Sequence, residues 1–219
     1  MKNVMIGIVV GVMVVIGGAY AKRLMDEYIT SNTVISPIGQ IFEKPLEKYT
    51  IDRLSTRVSP GSQIVLDEAI ATTSAYTAYR FHYMSDGPTS PGEAGLRGAG
   101  KKVTGLAHIP HVASVTNKKP VIVQIRGYME HDIFESGVGT RRSAEVFASN
   151  GFISLAPDFL GYGESDMPSE DVFEERFQTY TATRDLLASI PSVPMADSSR
   201  VGIWAHSNGG QIALTVLEF

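Results

Sequence analysis

Ser207 is the side chain in this chain best placed to do covalent chemistry. It follows Val201 to Ala205, an apolar run of strand length, and precedes Gln211 to Glu218, which reads as a helix. A strand that turns at once into a helix holds the residue at the tip in a strained backbone conformation. Small residues two before and two after it, Ala205 and Gly209, let the strand and helix approach closely. The first N–H groups of the helix are unpaired and its positive dipole end faces the serine. Negative charge developing during acyl transfer is stabilised there. The same residues also fit a Ser/Gly turn capping an ordinary helix, so the order of the preceding elements must decide.

Those elements alternate. From Pro120 the chain gives a buried strand at Val121 to Ile125, a helix at Thr140 to Asn150 closed by Gly151, and a strand at Phe152 to Leu155. A second helix follows. Ser169 is expected to cap it, with Glu170 and Asp171 in its first turn. Phe173, Phe177, Tyr180 and Leu187 recur on one face, and Pro191 ends the run. Strand and helix in alternation with short connections predict a parallel sheet with right-handed crossovers. Ahead of it, Gln63 to Ile70, Ala75 to Met84 and Lys102 to Ile109 read as antiparallel lead-in strands. Ser85 to Gly100, dense in Gly, Pro and Ser, is a surface loop.

The N-terminus carries a different signal. Val4 to Ala21 holds no charge and would span about 27 Å as a helix. It fits a signal sequence with Ala19-Tyr-Ala21 as its cleavage site, or an uncleaved anchor ahead of Lys22 and Arg23. Export from the cytoplasm is expected in either case, leaving the protein secreted or held at the membrane. Residues 22–60 read as a linker or stalk with a short strand at Tyr49 to Leu54, and residues 61–219 as the catalytic domain. The 219 residues are 43% hydrophobic, enough for one sizeable core. A net charge of −4 without basic runs argues against nucleic acid as a partner. With no Cys, disulfides, thiolate metal sites and a thiol nucleophile are excluded. The five His are scattered, so no helical zinc site is expected, and no cofactor is implied.

Three stretches in this order resemble the α/β-hydrolase superfamily. Ile125-Arg-Gly-Tyr128 resembles the His-Gly-x segment after the family's third strand. Pro157-Asp-Phe-Leu-Gly-Tyr-Gly-Glu-Ser165 resembles the D-x-x-G-x-G-x-S loop after its fourth. Ala205-His-Ser-Asn-Gly209 resembles its nucleophile elbow G-x-S-x-G, with Ala205 in place of the first Gly. The resemblance covers roughly residues 64 to 219 and is nearest to the prolyl oligopeptidase and dienelactone hydrolase branches. It implies an α/β-hydrolase fold with Ser207 as nucleophile. It also implies an oxyanion hole formed by the backbone N–H groups of Asn208 and Tyr128. Gly127 would let that backbone approach the substrate carbonyl. Arg126 stands where the family usually has His.

His206 adjoins the nucleophile but points elsewhere at such a turn, so it is expected to support the site. His82, His108 and His111 fall on or beside lead-in strands and are expected to be surface or structural. His131 could touch substrate or simply lie on its loop. Asp158 is expected to pin the loop after its strand, Trp204 to lie in the core, and Arg141 and Arg142 to form a solvated helix start. The family's triad runs Ser, acid, His, yet every His here precedes Ser207. The triad acid and base are therefore expected outside this chain, with a truncated or split frame as the simplest account. Val201 to Ala205 would then be an exposed apolar edge. The functional expectation is an exported serine hydrolase acting through an acyl-enzyme on a peptide or small-molecule ester, with a lean to peptides. The alternatives are a dienelactone hydrolase-like esterase and a binding protein on the same fold.

Overall fold

A computed structural model describes Lys22 and residues 46–59, 61–85 and 100–218. Val4 to Ala21 and most of the Ser85 to Gly100 loop lie outside the described residues. Among the described residues, no helix is long and apolar enough to cross a membrane.

Among the described residues, six strands form one mixed sheet. They are β1 (Val65–Thr72), β2 (Tyr76–Ser85), β3 (Lys101–Pro110), β4 (Lys119–Ile125), β5 (Ile153–Pro157) and β6 (Ala196–Ala205), in the spatial order β1-β2-β3-β5-β4-β6. β1, β2 and β3 pair antiparallel, and β3 joins β5 antiparallel. β5–β4 and β4–β6 are parallel. The lead-in strands and the parallel series thus fall where the apolar patterning puts them. β4 is covered on both faces, with Val121, Val123 and Ile125 fully buried. Between them, Gln124 is equally buried and is satisfied by Ser143 and Ser154. A buried amide with hydrogen-bonding partners avoids the desolvation penalty that would otherwise exclude it.

Among the described residues the sheet is accompanied by the helices α1 (Ile51–Thr56), α2 (Arg141–Ser149), α3 (Val172–Ser189) and α4 (Asn208–Leu217). α2 ends as expected, with Gly151 at φ +84°. Four local expectations are corrected. Tyr49 to Leu54 is no strand: it is a 3-10 turn, Glu47–Tyr49, running into α1. Long-range contacts decide this. Tyr49 stacks on Phe177 at 4.9 Å, Leu54 is buried, and Arg184 donates to the carbonyls of Leu54 and Arg57 at 2.6 and 3.2 Å. Arg184 thus ties the end of α1 to α3, and Leu54 O also accepts from Arg57 N–H at 3.2 Å.

The cap of α3 is Asp171, whose Oδ1 accepts from the N–H groups of Phe173 and Glu174 at 2.9 and 3.0 Å. Ser169 instead donates to Glu174 Oε2 at 2.7 Å. A carboxylate at this end satisfies two orphan donors and meets the dipole favourably. Phe173, expected on the buried face, is 67% exposed, while Phe177, Tyr180 and Leu187 do pack on the core. Trp204 is half-buried rather than fully in the core. β6 is the outer strand and pairs only with β4 among the described residues; Val201 is 38% exposed.

Candidate active site

β6 ends at Ala205 and α4 begins at Asn208, leaving two residues to reverse the chain. His206 N–H donates to Ile125 O at 3.2 Å, which ties the turn to the end of β4. Ser207 has φ 53° and ψ −122°. That conformation is costly for any residue with a Cβ and persists only where its surroundings enforce it. The enforcement is visible. Gly209 N–H donates to His206 O and Gly210 N–H to Ser207 O, both at 2.9 Å. Gly209 lies so near β4 that a Cβ there would sit 2.2 Å from Ile125 O and 2.5 Å from Arg126 O. The Ser207 side chain is exposed at the tip.

The chain leaving β4 runs alongside. A Cβ built on Gly127 would lie 3.2 Å from both Ser207 Cβ and His206 Nδ1, so only hydrogen gives this approach without crowding. Tyr128 follows, its ring 64% exposed. Among the described residues, neither its N–H nor that of Asn208 donates to a backbone carbonyl. Two carbonyls of this loop are held by side chains: Arg126 Nη1 donates to Gly127 O at 2.9 Å and the Tyr162 hydroxyl to Met129 O at 2.9 Å. Beside the loop and α4 lies a cavity of about 250 Å³, with Tyr128, Phe159, Leu160, Arg176, Asn208 and Ile212 among its lining.

Asp158 is 1% exposed, and its Oδ2 accepts from Thr104 at 2.8 Å and Ser136 at 2.7 Å. Burial raises its pKa, and the two hydroxyls and Arg126 oppose the rise. It therefore anchors its loop. Gly163, at φ +59°, passes so close that a Cβ would meet Oδ2 at 2.5 Å. Arg141 and Arg142 are both exposed at the start of α2, with Arg141 donating to Ser136 O at 3.3 Å.

All five His are described. His131 stacks on Tyr162 at 4.0 Å, and its Nδ1 lies 3.1 Å from Gly161 O. His82 pairs with Asp67 at 2.8 Å on the lead-in strands. His111 bonds Thr77 at 3.0 Å. His108 is buried against Tyr76. His206 is exposed and hydrogen-bonds no carboxylate. No described His bonds Ser207, and among the described residues the His–carboxylate pair, His82–Asp67, lies on β1 and β2. The residue whose placement the sequence leaves open is Arg126. It is 6% exposed and enclosed by Phe134, Phe159 and Tyr162, at 4.8, 5.7 and 4.0 Å from its guanidinium.

Lead-in strands, a parallel series in the order β5-β4-β6, and a serine at the turn from β6 to α4 define the α/β-hydrolase fold. Solved structures share it. An acetyl xylan esterase from Paenibacillus sp. R4 aligns with a TM-score of 0.51 and 19% identity, over 75% of this chain and 52% of that one. Acetyl xylan esterase 1 from Thermoanaerobacterium sp. JW/SL YS485 aligns with a TM-score of 0.50 and 17% identity, over 71% and 48%. The chain thus spans about half the length of these neighbours. No family model matches it, and no curated protein does.

Proposed function

We propose that this chain carries the nucleophile and oxyanion hole of a serine hydrolase. The observation that carries the reading is Ser207 held at φ 53° and ψ −122° between β6 and α4, beside the Gly127–Tyr128 backbone. Ser207 Oγ attacks an acyl carbonyl. The oxyanion is received by the N–H groups of Asn208 and Tyr128. The C–O bond to the leaving group breaks, the alcohol departs with a proton, and water later releases the acid from Ser207. A base must take the hydroxyl proton, and no described His is positioned to do so. That base and its carboxylate come from outside the described residues.

An ester is the favoured substrate. The cavity of about 250 Å³ beside Asn208 suits a short acyl group better than an extended peptide. The two structural neighbours are also described as esterases. This replaces the peptide lean drawn from the sequence. A fluorophosphonate probe is expected to label the chain slowly, since a serine without its base keeps only the oxyanion-hole contribution. Peptide mass mapping should place the adduct on Ser207, and Ser207→Ala should remove it. An adduct elsewhere, or none after prolonged incubation, points to a binding protein on this fold. Faster acylation by a peptide anilide than by p-nitrophenyl acetate restores the peptidase reading.

We also propose export, supported by the uncharged Val4 to Ala21 run after Lys2. Residues 1–60 fused to a reporter active only outside the cytoplasm should give signal. A silent, cytoplasmic fusion overturns export.

A further inference from the structure

The geometry points to Arg126 as a positioning residue that polarises the oxyanion hole, an inference that rests on the serine hydrolase reading. Gly127 C=O and Tyr128 N–H belong to one peptide unit. Arg126 Nη1 donates to that carbonyl at 2.9 Å, and Nη2 donates to Asp158 O at 3.0 Å. A cationic donor on the carbonyl draws electron density from the peptide nitrogen, so the N–H at the other end becomes a stronger donor. The two bonds lie at opposite ends of a planar trans unit. Negative charge arriving at Tyr128 N–H therefore meets a peptide already biased to receive it.

The cost of the arrangement argues that more than packing is involved. Arg126 is 6% exposed, pairs with no carboxylate among the described residues, and leaves its Nε without a partner. Asp158 is near, but its Oδ2 serves Thr104 and Ser136, and only its backbone carbonyl meets the guanidinium. Burying an ion is expensive unless its charge is met. Here it is met by two carbonyls and by the faces of Tyr162, Phe134 and Phe159. An oxyanion across the Gly127–Tyr128 peptide would supply the missing countercharge during reaction. Tyr162, stacked beneath His131 and donating to Met129 O, holds the loop's far end, leaving Arg126 to act on the one peptide next to Ser207.

The test compares Arg126→Gln, which keeps an amide donor without charge, with Arg126→Lys, which keeps the charge. Each is measured as the limiting rate and half-saturating concentration of fluorophosphonate labelling. The limiting rate is expected to fall about ten- to a hundred-fold in Arg126→Gln and less than about threefold in Arg126→Lys. Half-saturation should move less than about twofold in both. Equal losses in the two variants, or a change confined to half-saturation, would mean a purely structural staple and overturn the assignment. Ser207→Ala separates the two readings. If labelling survives Ser207→Ala, the hydrolase reading fails and this inference falls with it. If labelling is lost in Ser207→Ala but unchanged in Arg126→Gln, only the role of Arg126 fails. Should the variants not fold, the wild type carries the test. Its Gly127 carbonyl ¹³C resonance should lie downfield of that of Gly139, and an ordinary value overturns the proposal.

Discussion

Gly209→Ala is expected to destabilise the protein by about 3 kcal/mol, a large loss for one methyl group. The Cβ would meet Ile125 O at 2.2 Å, Arg126 O at 2.5 Å and Ile125 C at 2.8 Å. All three are backbone atoms at the end of β4, so no side chain can rotate away. α4 and β4 must separate, or the turn at Ser207 must open. Either movement also pulls Asn208 from Tyr128. In a domain of this size the cost corresponds to a melting temperature lower by roughly 6–12 °C. Gly210 is the internal control. A Cβ there meets nothing within 4 Å, and Gly210 lies in the first turn of α4. Gly210→Ala should therefore be neutral or stabilising by up to about 1 kcal/mol. Thermal unfolding of both variants decides the matter. Equal melting temperatures would mean that Gly209 is not the point of closest approach.

The elbow is legible in the sequence because its demands are local. A strand, a tip residue and a helix need small residues at fixed offsets, and Ala205 and Gly209 stand at them. β4 is legible for a related reason, since burial on both faces writes an almost unbroken apolar run. The role of Arg126 is not legible, because its neighbours come from two separate places in the chain. Phe134 lies after β4, and Phe159 and Tyr162 lie after β5; nothing in their spacing announces one box around a guanidinium. The turn and helix at residues 47–56 escape for the same reason. Their fold depends on Phe177 and Arg184, more than a hundred residues downstream. The cap of α3 falls two positions beyond Ser169, because Ser169 and Asp171 both have capping chemistry and only the first-turn geometry separates them. His108 sits on β3, most of which is covered on both faces, so the alternation that would mark a surface His fails there.

That burial makes His108 a determinant of acid sensitivity. The ring is 2% exposed, lies 5.2 Å from Tyr76, and leaves Nδ1 without a partner. Desolvation, with a smaller contribution from the Arg141 charge, lowers its pKa from 6.5 to about 4. In the unfolded chain the imidazole binds a proton near pH 6.5; in the folded protein it stays neutral until about pH 4. Between these values the unfolded state holds more protons, so stability rises with pH and is lost as pH falls. The contribution is complete above pH 6.5. Between pH 7.5 and 4.5 the loss amounts to about 2.5 kcal/mol. Asp158 works in the opposite sense. Its raised pKa lets the folded state take up a proton before the unfolded one does, which offsets part of the acid loss. The His108 contribution is therefore read as a difference. Urea unfolding of wild type and His108→Leu at pH 7.5, 5.5 and 4.5 should give curves whose separation changes by about 2.5 kcal/mol across the series, the variant losing less toward acid. A separation that stays constant with pH would show that His108 takes up its proton alike in the folded and unfolded chain.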